Sequence, residues 1–419
     1  MKVLEVDGNY PLTGSVRIGG AKNSAVALIP ACLLSNESIT LTNVPDISDI
    51  SNLIKMLEHL NVKVNIASGS LVLDCSSLEN NFIPNELSSK IRASYYFMSS
   101  LLARFKSVKM YFPGGCKIGA RPIDQTLKVY KALGCTIKEE NNLFEIKADS
   151  LTGNTINLDM PSVGATVNAI IVSSLAKGTT IINNAAREPE IEDVCNMLND
   201  MGAKIEGFGT SKIVINGVEK LHGTNHNIIP DRIEAGTYTI LGAMIGTYLK
   251  IDNIIPLHIK ALTDKLIEMG VDIELHEDYL IVNSSNNLKS VDIETKGYPG
   301  FATDLQQPIV PLLTLCKGKS IVNETIYENR YMNIPYLNKM GTNINVNGRI
   351  ATILGPTKLK GGIVEATDLR AGASLLLASL KAEGHTTIKN IEHILRGYEN
   401  LIDKLTNIGA KIELKEIDE

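Results

Sequence analysis

Apolar positions along the chain fall into two kinds of helical pattern, and the pair recurs six times. One kind is amphipathic, ends in glycine or asparagine, and runs into a β-like stretch. It reads "SNLIKMLEHLNVKVNI", "LKVYKALGCTIKEE", "VCNMLNDMGAKIEG", "LTDKLIEMGVDIEL", "YLNKMGTNINVN" and "LIDKLTNIGAKIEL". The turn residues Asn61, Gly134, Gly202, Gly270, Gly341 and Gly409 are spaced by 73, 68, 68, 71 and 68 positions, a period held over the whole chain. Leu53, Ile54, Leu57 and Leu60, like Leu401, Ile402, Leu405 and Ile408, keep one face apolar. The glycine behind each helix supplies a left-handed C-terminal cap.

The other kind is apolar nearly all round, which predicts helices buried in an interior: "NSAVALIPACLL", "ASYYFMSSLLA", "ATVNAIIVSSLA", "GTYTILGAMIGTYL", "IVPLLTLC" and "AGASLLLASL". Between the two kinds lie short β-branched runs such as "ESITLTNV", "GTTIINNA" and "HTTIKNI". Each unit is therefore strand, buried helix, strand, half-exposed helix, then a strand or hairpin. Helices enclosed by sheets predict an α/β barrel turned inside out, with three units in each of two domains. The polar stretch "HGTNHNIIPDR", residues 222 to 232, is the candidate boundary. The same periodicity also admits a continuous six-unit solenoid.

Composition narrows the class. With 419 residues, 44% hydrophobic and 21% charged, the chain suits two ordinary globular domains. A net charge of -5 supplies no general field for nucleic acid or acidic membrane, so anion binding must come from local clusters. The six cysteines stand at least 19 residues apart, which excludes close metal-binding or redox pairs and suits free thiols in a cytoplasmic protein. The opening "MKVLEVDGNY" has acids where a secretory leader needs an apolar run, and no uninterrupted apolar stretch is long enough to insert in a membrane.

Alignment of the repeats places charge at two fixed positions. Arg121, Arg187, Arg330 and Arg396 precede their turn glycines by 13, 15, 11 and 13 residues, at the approach to the half-exposed helix. Lys22, Arg92, Ser162, Arg232, Asp304 and Arg370 precede theirs by 39, 42, 40, 38, 37 and 39, at the start of the buried helix. A cation at a helix N-terminus opposes the macrodipole by roughly 0.3–1 kcal/mol, so its repetition needs a reason. Free N–H groups and arginines acting together on a bound phosphate or carboxylate supply one, with several helix ends facing one cleft. Taken singly, each arginine is an ordinary surface residue or a carboxylate's partner.

"PGGCKIGAR" joins a cysteine to two glycines and two cations; Lys117 and Arg121 would favour the thiolate of Cys116. Cys32, Cys195 and Cys316 sit in apolar or amphipathic patterns and read as small hydrophobes. Asp304, in "YPGFATDLQQP", is the one acid at the buried-helix register. It is either an N-cap or, facing an anion site, a general base. "CKGKS" at 316–320 lacks the first glycine of a phosphate loop, and no dinucleotide fingerprint or metal-binding histidine motif occurs, so no cofactor or metal is expected.

Ten segments, among them "GGAKNSAVALIPA", "GGCKIGARPID", "NAAREPEIED", "YPGFATDLQQP", "ATDLRAGASLLLA" and "RGYENL", resemble the motifs of the UDP-N-acetylglucosamine 1-carboxyvinyltransferases, over about residues 1 to 415. The resemblance implies two inside-out α/β barrels, each of three βαβαββ units: a first domain at 22–229, and a second made of 1–21 and 230–419. It implies transfer of the enolpyruvyl group of phosphoenolpyruvate to the sugar 3-hydroxyl by addition and elimination, and a cleft that closes on both substrates. Cys116 matches the family's loop thiol, proton donor and site of a covalent adduct, and Asp304 matches the general base. Lys22, Asn23, Arg121, Arg330, Arg370 and Arg396 match groups around phosphoenolpyruvate. Asn23, Arg92, Arg121, Pro122, Ile123, Asp124, Gln125, Ser162, Gly164, Asp304 and Ile326 match contacts to the sugar nucleotide. Met160 and Pro161 depart from the pattern where some relatives place a lysine. The shikimate-pathway transferase is the rival enzyme reading, set aside on the "GGCKIGARPID" loop. A non-catalytic repeat protein is the rival class, set aside because a binder needs neither Cys116 nor Asp304.

Overall fold

A computed structural model describes residues 2–67, 69–114 and 122–417. The chain divides into two compact units. One holds residues 20–114 and 122–229, the other 2–19 and 230–417. Each has its own hydrophobic core, and no buried apolar residue belongs to both.

In the first unit the apolar patterns become the helices Lys22–Ala31, Tyr96–Phe105 and Val163–Ser173. Every residue of the last from Ala165 onward is buried, as a helix apolar on all faces requires. The amphipathic patterns become Ser48–His59, Asp124–Ala132 and Pro189–Asp200, each burying one stripe. All six turn residues of the chain have positive φ, from 65° at Asn61 to 99° at Gly202 and Gly409. The repeat therefore ends each helix in a backbone conformation that glycine and asparagine tolerate best.

Each complete repeat folds its strands into a four-stranded sheet. Thr155–Asn157 pairs in parallel with Thr179–Asn183, which pairs antiparallel with Lys212–Asn216, and Lys204–Glu206 forms the edge. Asn225–Asn227, at the far end of the unit's sequence, supplies the parallel strand beside Ser38–Thr42 and so closes the ring of repeats. The second repeat keeps only three strands, and its fourth is reduced to a single bridge between Ile83 and Met110.

The second unit repeats the plan around Arg232–Ile245, Thr303–Leu313 and Leu369–Lys381, which pack on one another. Its last sheet departs from the expected hairpin. Lys2–Asp7 lies between His385–Lys389 and Lys411–Glu416, antiparallel to both, where the return strand of a hairpin would lie. Leu12–Arg17 then supplies the parallel strand beside Gly246–Asp252. A ring closed in this way, with separate cores, excludes the continuous solenoid.

Candidate active site

The buried-helix register turns out to be a meeting point. Because the three central helices of the second unit pack together, their first turns bring Arg232, Asp304 and Arg370 into one neighbourhood. Asp304 lies in the first turn of Thr303–Leu313, but Ala302 is the N-cap and the Asp304 carboxylate caps nothing. Arg330 Nη2 instead donates to its Oδ1 at 2.7 Å, and Arg370 Nη2 to its Oδ2 at 3.2 Å. The two arginine side chains are 4% and 8% exposed and the aspartate 25%, so the cations are nearly dry while the acid keeps an opening. Burial alone would raise the Asp304 pKa. Arg370 and Arg330, with Arg232 behind them, outweigh it and hold the carboxyl well below the usual range.

The neighbours hold this geometry. Asp368 caps the helix of Arg370, its Oδ1 accepting from the Arg370 and Ala371 amides at 2.9 and 3.0 Å. Buried Glu324 accepts from Thr303 Oγ1 at 3.0 Å and from the amides of Ile326 and Tyr327 at 2.8 and 3.0 Å. It thereby ties the helix start to the loop that carries Arg330, whose guanidinium lies 4.9 Å from the Tyr327 ring centre. Ile326 is 40% exposed. Arg396 closes the short helix Glu392–Leu395 rather than opening the next one, and a cation at that end suits the helix dipole. Arg330 precedes its helix, Ile334–Lys339, by four residues.

In the first unit, Lys22 opens Lys22–Ala31 and its ammonium lies 2.6 Å from Asp49 Oδ2, with the two side chains 13% and 4% exposed. Asn23 follows it and is half-buried. Arg92 opens a 3-10 turn, Arg92–Tyr95, rather than the α-helix itself, and its guanidinium lies 5.6 and 5.2 Å from the ring centres of Tyr95 and Phe112. Ser162 is the N-cap of Val163–Ser173, its Oγ accepting from the Ala165 amide at 3.3 Å. A Cβ on Gly164 would stand 1.6 Å from the Tyr95 hydroxyl, so glycine here lets the starts of two repeats meet.

Pro122 is exposed and Ile123 buried. Asp124 begins its helix, and Gln125 donates to Asp124 and to Asp159 at 2.8 and 2.9 Å. Asp159 in turn pairs with Lys128 at 2.6 Å. Met160 beside it is 62% exposed. Cys116 and Arg121 lie outside the described residues. Cys32, Cys75, Cys135, Cys195 and Cys316 are free and buried, and burial pushes every one of these thiols up, Cys316 to about 12. Arg187 stands two residues before Pro189–Asp200. Among the described residues no cluster of three or more His, Cys, Asp or Glu could hold a metal ion, and no helix is long and apolar enough to cross a membrane.

Asp49 and Glu324 carry no sign of their roles in the sequence, and neither do Tyr398, whose hydroxyl accepts from Arg370 Nη1 at 3.2 Å, and Thr237, whose Oγ1 lies 2.9 Å from that hydroxyl. Asp49 opens an amphipathic helix as many acids do, and Glu324 follows a strand without a motif of its own. Tyr398 lies inside the "RGYENL" segment but outside both charge registers.

The family model for EPSP synthase (3-phosphoshikimate 1-carboxyvinyltransferase) matches residues 6–405. A UDP-N-acetylglucosamine 1-carboxyvinyltransferase 2 of Bacillus subtilis is 50% identical over 413 residues, covering 98% of this chain and 96% of that protein. Its namesake in Clostridium acetobutylicum is 49% identical over 418 residues, covering 100% of both. The crystal structure of the enolpyruvyl transferase NikO from Streptomyces tendae superposes with a TM-score of 0.90 at 27% identity, covering 99% of each chain. EPSP synthase from Acinetobacter baumannii shares the fold, at a TM-score of 0.77 and 18% identity over 99% of this chain and 100% of that one. The chain belongs to the carboxyvinyl (enolpyruvyl) transferase family, two inside-out α/β barrels of repeated units, alongside its UDP-N-acetylglucosamine 1-carboxyvinyltransferase relatives.

Proposed function

We propose that this chain transfers the enolpyruvyl group of phosphoenolpyruvate to the 3-hydroxyl of UDP-N-acetylglucosamine, releasing phosphate, as the first committed step of peptidoglycan precursor synthesis. The observation that carries the reading is the match, at half identity over essentially the whole chain, to relatives named for that activity. The cytoplasm is the proposed compartment, one that suits free thiols. Residues 22–229 and 1–21 with 230–419 are the proposed domains.

The chemistry needs an acid, a base and a cationic clamp. A proton delivered to the terminal vinyl carbon of phosphoenolpyruvate leaves cationic character on the neighbouring carbon. The sugar hydroxyl adds there and gives up its proton. Loss of a proton from the new methyl group then reforms the double bond as phosphate departs with the electrons of its C–O bond. Cys116 is assigned the proton donation and the covalent adduct, and Asp304 the acceptance of the hydroxyl proton. Arg330, Arg370 and Arg396 are assigned to the anionic groups of phosphoenolpyruvate, as are Lys22, Asn23 and Arg121. Arg92, Pro122 to Gln125, Ser162, Gly164 and Ile326 are assigned to the sugar nucleotide, with Asn23, Arg121 and Asp304 shared.

Asp304 is a poor base while two arginines hold it. A substrate anion that draws Arg330 and Arg370 to itself raises the proton affinity of the carboxylate at the moment a base is required. The 25% exposure of Asp304, against nearly dry arginines, leaves it open to a hydroxyl.

The test is phosphate release from phosphoenolpyruvate by the full chain. Release is expected with UDP-N-acetylglucosamine and absent with shikimate 3-phosphate. The reverse dependence would transfer the chain to the shikimate branch.

A further inference from the structure

We propose that Tyr398, backed by Thr237, is a positioning residue for this reaction: it fixes the Arg370 guanidinium through a neutral acceptor, leaving its charge for the substrate anion. The proposal rests on the transfer reaction set out above. Arg370 is held at both terminal nitrogens. Nη2 donates to Asp304 Oδ2 at 3.2 Å, and Nη1 donates to the Tyr398 hydroxyl at 3.2 Å. The tyrosine ring lies beside the same group, 5.7 Å from its centre to the guanidinium carbon, and Tyr398 is only 3% exposed.

The direction of each hydrogen bond follows from counting hydrogens. Thr237 Oγ1 lies 2.8 Å from the Ile233 carbonyl, which can only accept, so the threonine hydrogen is spent there. The 2.9 Å contact between Thr237 and Tyr398 must then use the tyrosine hydrogen. That leaves a lone pair of the Tyr398 oxygen as the one thing it can offer to Arg370. The relay therefore runs from Arg370 through Tyr398 and Thr237 to the helix backbone, and every member is buried.

A carboxylate in the place of Tyr398 would hold Arg370 equally well but would neutralise it. An aliphatic residue would leave a buried Nη1 without an acceptor. A phenol avoids both outcomes, and Asp304 is then the anion whose hydrogen bond the arginine must surrender when the substrate arrives, with Asp231 acting on Arg370 only through its field.

The experiment measures the KM for phosphoenolpyruvate and UDP-N-acetylglucosamine binding in Tyr398→Phe, Arg370→Lys and the double variant of the full chain. Tyr398→Phe keeps the ring and loses the acceptor. The expected result is a KM for phosphoenolpyruvate raised about 10- to 100-fold, the worth of a hydrogen bond to a charged group, with sugar-nucleotide affinity within about twofold of wild type. Because Tyr398 acts through Arg370, the double variant should lose no more than Arg370→Lys alone. An unchanged KM, an equal loss for both substrates, or additive losses in the double variant would each overturn the proposal. Should Tyr398→Phe fail to fold, the near-isosteric Thr237→Val decides. A KM for phosphoenolpyruvate raised about threefold or more, with sugar-nucleotide binding kept, supports the relay, and an unchanged KM overturns it. Wild-type protein that releases no phosphate with UDP-N-acetylglucosamine sinks the reaction itself. An active wild type with an indifferent Tyr398→Phe sinks the positioning role alone.

Discussion

Replacing Asp304 by asparagine tests the site at its centre, because the substitution keeps the shape and removes the charge. In the native protein the carboxylate bridges two arginines whose side chains are 4% and 8% exposed, offsetting one of their two charges. Breaking a buried ion pair from one side costs about 3–5 kcal/mol, and the 25% exposure of the aspartate argues for the lower end, about 3 kcal/mol. For a unit of this size that corresponds to a melting temperature lower by about 6–12 °C. Loss of a general base lowers turnover by about 10²- to 10⁴-fold. The two effects can be separated with inorganic phosphate. An anion that takes the place of the lost carboxylate should raise the melting temperature of Asp304→Asn more than that of wild type, without restoring turnover. The assays are thermal unfolding with and without phosphate, steady-state phosphate release, and calorimetric binding of UDP-N-acetylglucosamine. Turnover within about tenfold of wild type would refute the base assignment. Equal losses in turnover and sugar-nucleotide binding would demote Asp304 from base to ligand.

Incubation with phosphoenolpyruvate should add mass to the peptide containing Cys116. Label on Cys32 or Cys195, both fully buried with their thiols pushed up, would overturn the loop assignment. Gly164→Ala should destabilise the first unit by about 1–3 kcal/mol through overpacking, since its Cβ would stand 1.6 Å from the Tyr95 hydroxyl; an unchanged urea midpoint refutes the clash. Glu234, paired with Lys404 at 2.6 Å, has its pKa raised by burial, against the pull of Lys404, from 4.5 to about 6. A group raised on folding stabilises most below its unfolded pKa and loses that contribution as pH climbs through the folded one. Wild type should therefore lose about 2 kcal/mol relative to Glu234→Gln between about pH 4 and 7, measured by denaturant unfolding, and the opposite slope would refute the burial argument.

The parts of the fold legible in the sequence were those written locally. Each turn glycine, the apolar faces behind it and the all-apolar helices depend on residues within one repeat, and the structure places all six turn residues at positive φ. The register of charges was equally visible, but its meaning was not. Asp304 read as the one acid in its register, with nothing to show its partners, yet Arg330 and Arg370 reach it from 26 and 66 residues away. Identical register positions on neighbouring central helices meet in space, and a linear alignment of repeats shows that they correspond without showing that they touch. Tyr398 was hidden for the same reason, since its hydroxyl matters through Arg370 and Thr237, 28 and 161 positions away. Nothing local marks Lys2–Asp7 as the inner strand of the last sheet, because its partners lie at the opposite end of the chain.

That strand has a consequence for synthesis on the ribosome. Lys2–Asp7 leaves the exit tunnel roughly 400 residues ahead of Lys411–Glu416, so the sheet that unites them waits until both barrels have been synthesised. Residues 20–229 can assemble meanwhile, with Lys2–Asp7 left as an unpaired edge until His385–Lys389 and Lys411–Glu416 emerge.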